Sequence, residues 1–166
     1  MTSDRYHLLT AKVDGFFARV EARHGDQMQC GSGCADCCHT RLTVTAVEAA
    51  AIEDHVAAMA PAARAELAAL AARPVDPATI RCAALGDDDR CRIYAARPIV
   101  CRSHGAPIKL GASVTACHRN FTAQGPAAAD PDCVLDQTTL SALVLAVNGG
   151  GSERTDLAAL LVALLR

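Results

Sequence analysis

Cys30-Gly-Ser-Gly-Cys34-Ala-Asp-Cys37-Cys38 places four thiols within nine residues of a 166-residue chain. Thiolates are soft ligands that hold zinc, copper(I) or iron–sulfur clusters, so this run reads as a loop built around metal. Cys34 and Cys37 have the two-residue gap that lets both sulfurs converge on one ion. Cys37 and Cys38 are adjacent, and neighbouring side chains in an extended or turning segment usually diverge. The pair is compatible with two metals, with one bridging thiolate, or with one metal and a spare thiol. An isolated cysteine is often just a small core hydrophobe. Of the nine cysteines, Cys133 fits that description best.

Working outward, the flanking sequence is helical. Tyr6, Leu9, Val13, Phe16, Phe17 and Val20 recur at helical spacing, predicting a helix over residues 4–24 with Ser3 as cap and a stop at His24-Gly25. Thr45 and Glu48 have capping-box spacing ahead of Val47, Ile52, Val56 and Met59, the apolar face of a second helix. Pro61 opens a third that runs to about Arg73 and buries Leu67 and Leu70, and Pro74 and Pro77 end it. Gly86-Asp-Asp-Asp reads as a turn between two short cysteine-bearing segments. Ile108–Leu110 and Ser113–Cys117 flank Gly111-Ala112 as a small hairpin. Thr138–Val147 is an apolar helix stopped by Asn148-Gly149, and Thr155 stands where it would cap a last helix, Asp156–Leu165. No repeat of fixed period is present. The fold class expected is therefore mainly α: a single small helical domain over residues 1–166, around a loop-rich cysteine metal site, with one short β-hairpin.

Composition agrees. About half of the residues are apolar, but there is no Trp, with two Tyr and three Phe. Such an alanine-rich core suits closely packed helices helped by a metal. A net charge of −2 argues against a general nucleic-acid surface. The first residues carry no basic-then-apolar signal segment, and Leu157–Leu165 is too short to span a membrane. The expected location is the cytosol, where thiols stay reduced and clustered cysteines favour metal over disulfides.

A second cysteine region, Cys82, Cys91, Cys101 and Cys117, completes the pattern. The first run alone has the Cys-x3-Cys-x2-Cys spacing of radical S-adenosylmethionine enzymes. Those enzymes need a partial barrel of alternating strands and helices, whereas residues 40–73 read as consecutive helices. The segment Cys91-Arg-Ile-Tyr94-Ala-Ala-Arg97-Pro98-Ile-Val-Cys101-Arg102 points elsewhere. With Cys30–Cys38 and Glu48 before it, it resembles the YkgJ-type cysteine-cluster family, described as a zinc- or iron-chelating domain. The resemblance covers roughly residues 30–120, with Cys117 matching a later family cysteine. It implies metal binding by the shared cysteines and leaves the reaction open. Related domains occur fused to a flagellin lysine methylase, whose extra length is missing here.

The candidate metal ligands are thus Cys30, Cys34, Cys37, Cys38, Cys82, Cys91, Cys101 and Cys117. The cofactor is zinc or iron, with an iron–sulfur cluster as one form. Pro98 fixes the chain direction before Cys101, and Ile93, Tyr94, Ile99 and Val100 are expected to bury around the sulfurs. Arg81, Arg90, Arg92, Arg97, Arg102 and Arg119 lie near cysteines or histidines and are candidates to offset thiolate charge. His39, His104 and His118 lie close enough in sequence to replace a thiolate, whereas His7, His24 and His55 lie in helical stretches and are not expected to be ligands. Asp87-Asp88-Asp89 lacks the glycine and distal glutamate of a calcium loop and reads as a solvated turn. No phosphate loop, serine elbow or two-histidine zinc helix occurs. Two further function classes stay open: a redox or methyl-transfer enzyme with an open iron position, and a metal-stapled helical surface that docks a protein partner.

Overall fold

The computed structural model describes residues 2–31, 33–74 and 80–166. Pro77 and the Ser3 side chain, both assigned local roles above, lie outside the described residues. The protein is mainly α, with 54% of the described residues helical and short strands in small sheets. No described helix is long and apolar enough to cross a membrane. The chain forms two compact units, each built from two segments: Met1–Gly31 with Ile99–Gly151, and Ser32–Pro98 with Ser152–Arg166.

In the first unit, helix α1 (Thr2–His24) buries the expected stripe of Tyr6, Leu9, Val13, Phe16 and Val20. This stripe follows from a 3.6-residue period that returns every third or fourth side chain to one face. The helix packs on α4 (Ile99–Ser103) and α5 (Gln137–Val147). The core joins Phe16 and Val20 to Met28, Ala106, Phe121, Ala129 and Cys133. Arg102 of α4, 8% exposed, pairs with Asp14 of α1 at 2.6 Å. The expected hairpin is present as β2 (Ile108–Leu110) against β3 (Ser113–Thr115), with Ile108 opposite Thr115. Two residues of β4 (Leu135–Asp136) add to β2 in parallel. Asp136 then caps α5, its carboxylate accepting the Thr139 N–H at 2.8 Å.

In the second unit, β1 (Thr43–Thr45) pairs antiparallel with β5 (Arg154–Asp156), Val44 opposite Thr155. Each strand runs directly into a helix: α2 (Ala46–Ala58) and α6 (Leu157–Leu164). The capping box forms at α2. The Glu48 carboxylate, on a residue 2% exposed, accepts the Thr45 N–H at 2.8 Å and its hydroxyl at 2.9 Å. At α6 the cap is Asp156, which accepts the Ala159 N–H at 3.0 Å, and not Thr155 as expected. β5 runs through Asp156, and the helix starts only at Leu157, so the residue in the cap position is Asp156. With α3 (Pro61–Ala71), these helices enclose Val44, Ile52, Val56, Leu67, Ile93, Leu157 and Leu161, a core with no aromatic residue.

Candidate metal centre

The second unit carries Cys37 and Cys38 on a short helical turn, Asp36–Cys38, closed by the Cys38 N–H bonding to the Ala35 carbonyl at 2.8 Å. The Cys38 carbonyl accepts the Cys82 N–H at 2.7 Å, so backbone alone ties the first cysteine run to the second region. Cys82 and Cys91 then flank a tight loop. Leu85 bridges to Cys91, the Gly86 N–H bonds to Arg90 O at 2.9 Å, and the Arg92 N–H bonds to Ala84 O at 2.8 Å. Each of these two sulfurs accepts the backbone N–H of the residue two positions on, Ala84 for Cys82 and Ile93 for Cys91. This repeated geometry presents two thiols already supplied with donors suited to thiolate charge.

Electrostatics couples Cys38 to the other three cysteines of this unit's two loops. A hydrogen bond with Cys37, then burial, then the negative charge of Cys37, Cys82 and Cys91 drive the Cys38 thiol far above its ordinary value. Burial pushes Cys82 up, against the Ala84 N–H. Burial also pushes Cys91 up to about 11, with the Ile93 N–H and the Arg97 guanidinium opposing. Sulfurs that penalise one another's ionisation are a donor set that a bound cation relieves. The set is soft and entirely sulfur, which fits zinc or iron and not a hard cation.

The surroundings depart from expectation in three places. Ile93 and Ile99 are buried, but Tyr94 is 63% and Val100 48% exposed, so only half of the expected apolar shield is built. The Tyr94 ring instead stacks under the Arg97 guanidinium, 4.1 Å from its centroid. Arg81 and Arg92 face the acidic turn: Asp88 meets Arg92 at 2.9 Å and Asp89 meets Arg81 at 3.5 Å. Asp87 meets Arg73 at 2.7 Å. The turn is exposed as expected, but its three carboxylates brace the Cys82–Cys91 loop through ion pairs, because each arginine projects from a neighbouring segment of the same unit.

The first unit holds Cys30, Cys101 and Cys117. Cys30 and Cys117 are tied together by Asn120, 4% exposed, which no sequence motif signals. Its Nδ2 donates to Cys30 Sγ at 3.1 Å and to the Gly105 carbonyl at 2.8 Å, and its Oδ1 accepts the Gln29 N–H at 2.7 Å. Its own N–H bonds to the Cys117 carbonyl at 2.8 Å. Gly105, at φ +100°, passes so close that a Cβ there would lie 2.6 Å from Cys30 Sγ. Gly105→Ala should therefore displace Cys30 and cost about 1–3 kcal/mol, from backbone strain and the clash together. Thermal denaturation measures this, and an unchanged midpoint would contradict the close approach.

Of the remaining candidates, Cys34 is half-buried in the second unit, ahead of Cys37. His118 Nδ1 lies 3.9 Å from Cys117 Sγ, His39 Nδ1 lies 3.1 Å from Ala35 O, and His104 is exposed. Cys133 is fully buried in the apolar core of the first unit.

Comparison with protein families matches residues 29–124 to the model "CxxCxxCC: Putative zinc- or iron-chelating domain". That span is more than half of the chain and contains all eight clustered cysteines. The first cysteine gap here holds three residues where the name of the family gives two. No curated protein and no solved structure matches the chain.

Proposed function

The chain belongs to the CxxCxxCC zinc- or iron-chelating family, and from that premise we propose that Cys37, Cys38, Cys82 and Cys91 together hold one metal ion. What supports this reading is that Cys37 and Cys38 share one turn, Cys82 and Cys91 flank one loop, and the Cys82 N–H bonds to the Cys38 carbonyl at 2.7 Å, with the charges of Cys37, Cys82 and Cys91 all raising the Cys38 thiol. Four thiolates fill a tetrahedral ion's coordination, the pattern of a structural site. On a divalent ion they leave a net charge of about −2, which the Ala84 and Ile93 N–H groups and Arg97 offset. The metal's contribution would be folding free energy, supplied to a unit whose core lacks aromatic residues.

Cys30, Cys101 and Cys117 stay candidate ligands within the first unit, and Cys34, with two residues between it and Cys37, is the candidate to exchange with one of the four. A reducing cytoplasmic setting, in which clustered thiols favour metal over disulfides, is part of this reading. A closed four-thiolate shell favours a metal-stapled structural or interaction domain over an enzyme with an open iron position.

Elemental analysis of protein purified without oxygen tests the reading. Stoichiometric zinc in a colourless sample, or iron in a coloured one, is the expected result. Labile sulfide with that iron would identify a cluster, in which burial and N–H···S bonds tune a redox potential. Metal-free protein that is nevertheless fully folded would overturn the proposal.

A further inference from the structure

We infer that His24, Asp130 and Cys133 form a separate site for a zinc-class divalent ion, independent of the clustered cysteines. One ligand atom from each of the three lies within 4.8 Å of the other two. Tetrahedral zinc with bonds of about 2.0–2.3 Å sets its ligand atoms roughly 3.3–3.8 Å apart. Closure therefore asks for shifts on the order of 1 Å. Imidazole, carboxylate and thiolate are together the donor types that zinc accepts. All three residues lie outside the family-matched span, His24 before it and the other two after it.

The site is assembled by rigid pieces of the first unit. His24 is the last residue of α1, and its ring rests against Phe121 with centroids 5.6 Å apart. Asp130 and Cys133 share a short turn through Pro131, held by the Cys133 N–H bonding to the Asp130 carbonyl at 2.8 Å. Cys133 is fully buried, while the Asp130 side chain is half-exposed. An ion held here would be anchored at the sulfur on the core side and keep a fourth, water-accessible position beside the carboxylate.

Two existing interactions must yield, and both are solvent-exposed. His24 Nε2 accepts the Asp130 N–H at 3.2 Å, and Arg23 Nη1 lies 3.2 Å from Asp130 Oδ2. Arg23 has a shorter partner in Asp132 at 2.7 Å, so releasing Asp130 does not leave the guanidinium unpaired. The competing view is that Cys133 merely fills the core and His24 merely caps a turn. Under that view no variant here changes metal binding.

The test uses full-length protein stripped with a chelator and titrated with zinc, with cobalt(II) as a spectroscopic probe. Asp130→Ala and His24→Gln should each remove one class of zinc site, weakening it at least about 100-fold, because even the outer partners of metal ligands are worth about 10- to 100-fold. Cys133→Ser should remove the thiolate-to-cobalt charge-transfer absorption of that class. The absorption of the clustered cysteines should persist in all three, so failure of this site and failure of the four-thiolate site are separately visible. If Cys133→Ser does not fold, the other two variants decide. Equal zinc stoichiometry and affinity in the parent, Asp130→Ala and His24→Gln would overturn the inference.

Discussion

Cys82→Ser should weaken metal binding by the second unit about 100- to 1000-fold and make its folding dependent on excess metal. A structural zinc site contributes an apparent 10–16 kcal/mol or so at neutral pH. One ligand in four therefore carries roughly 2.5–4 kcal/mol, and each 1.4 kcal/mol is about a factor of ten. Serine nearly preserves the shape and can still accept the Ala84 N–H that now serves the sulfur. What it lacks is a soft donor that ionises on metal, so the loss falls on coordination and not on packing. Cys82 also anchors the hydrogen bond to the Cys38 carbonyl, but through its backbone, which the substitution leaves alone. Competition against a chromophoric chelator gives the affinity, and melting with and without that chelator gives the coupling to folding. Parent-like affinity would remove Cys82 from the ligand set.

Ile93→Ala should cost about 2–5 kcal/mol in stability, the range for large-to-small changes in a packed core. Ile93 is 1% exposed and joins Val44, Ile52, Val56 and Leu67 in the core of the second unit. Its side chain belongs to that core, while its N–H belongs to the Cys91 sulfur. Alanine keeps the N–H and removes the side chain. The metal-loaded variant should melt lower by roughly 4–8 °C per kcal/mol for a body of this size, with metal affinity changed far less than in Cys82→Ser. A loss below about 1 kcal/mol would mean that the loop carrying Cys91 is not fixed by this core. The two variants together separate coordination from packing at neighbouring positions.

Much of the helical frame was legible because periodicity is a local signal. The α1 stripe, the Thr45–Glu48 box, Pro61 at the start of α3 and the hairpin around Gly111 all rest on contacts a few residues apart. What was not legible depends on distance along the chain. The pairing of Thr43–Thr45 with Arg154–Asp156 joins strands of three residues far apart in the chain, too short to show alternation. Asn120 reads as an ordinary polar residue until Cys30 and Gly105 close on it. The arginines beside cysteines invited a role at sulfur, but for Arg81 and Arg92 the acidic turn is a stronger partner at contact distance. Spacing brought the right cysteines to attention. It could not show that the run divides after Cys30, which falls in the first unit while Cys34, Cys37 and Cys38 fall in the second.

The interleaving of the two units also governs the order in which the protein is completed as it is made. The chain passes between units near Gly31, Pro98 and Gly151, so neither unit is a continuous stretch. The first has all of its segments once Gly151 has emerged, whereas the second also needs β5 and α6, which follow it. Cys37, Cys38, Cys82 and Cys91 are therefore all synthesised well before the strand that completes β1, leaving an interval in which metal capture could precede final packing. A fragment trimmed to residues 29–124 would lack α1 and α5 from one unit and β5 with α6 from the other. The span matched to the family is thus narrower than either unit in its full extent.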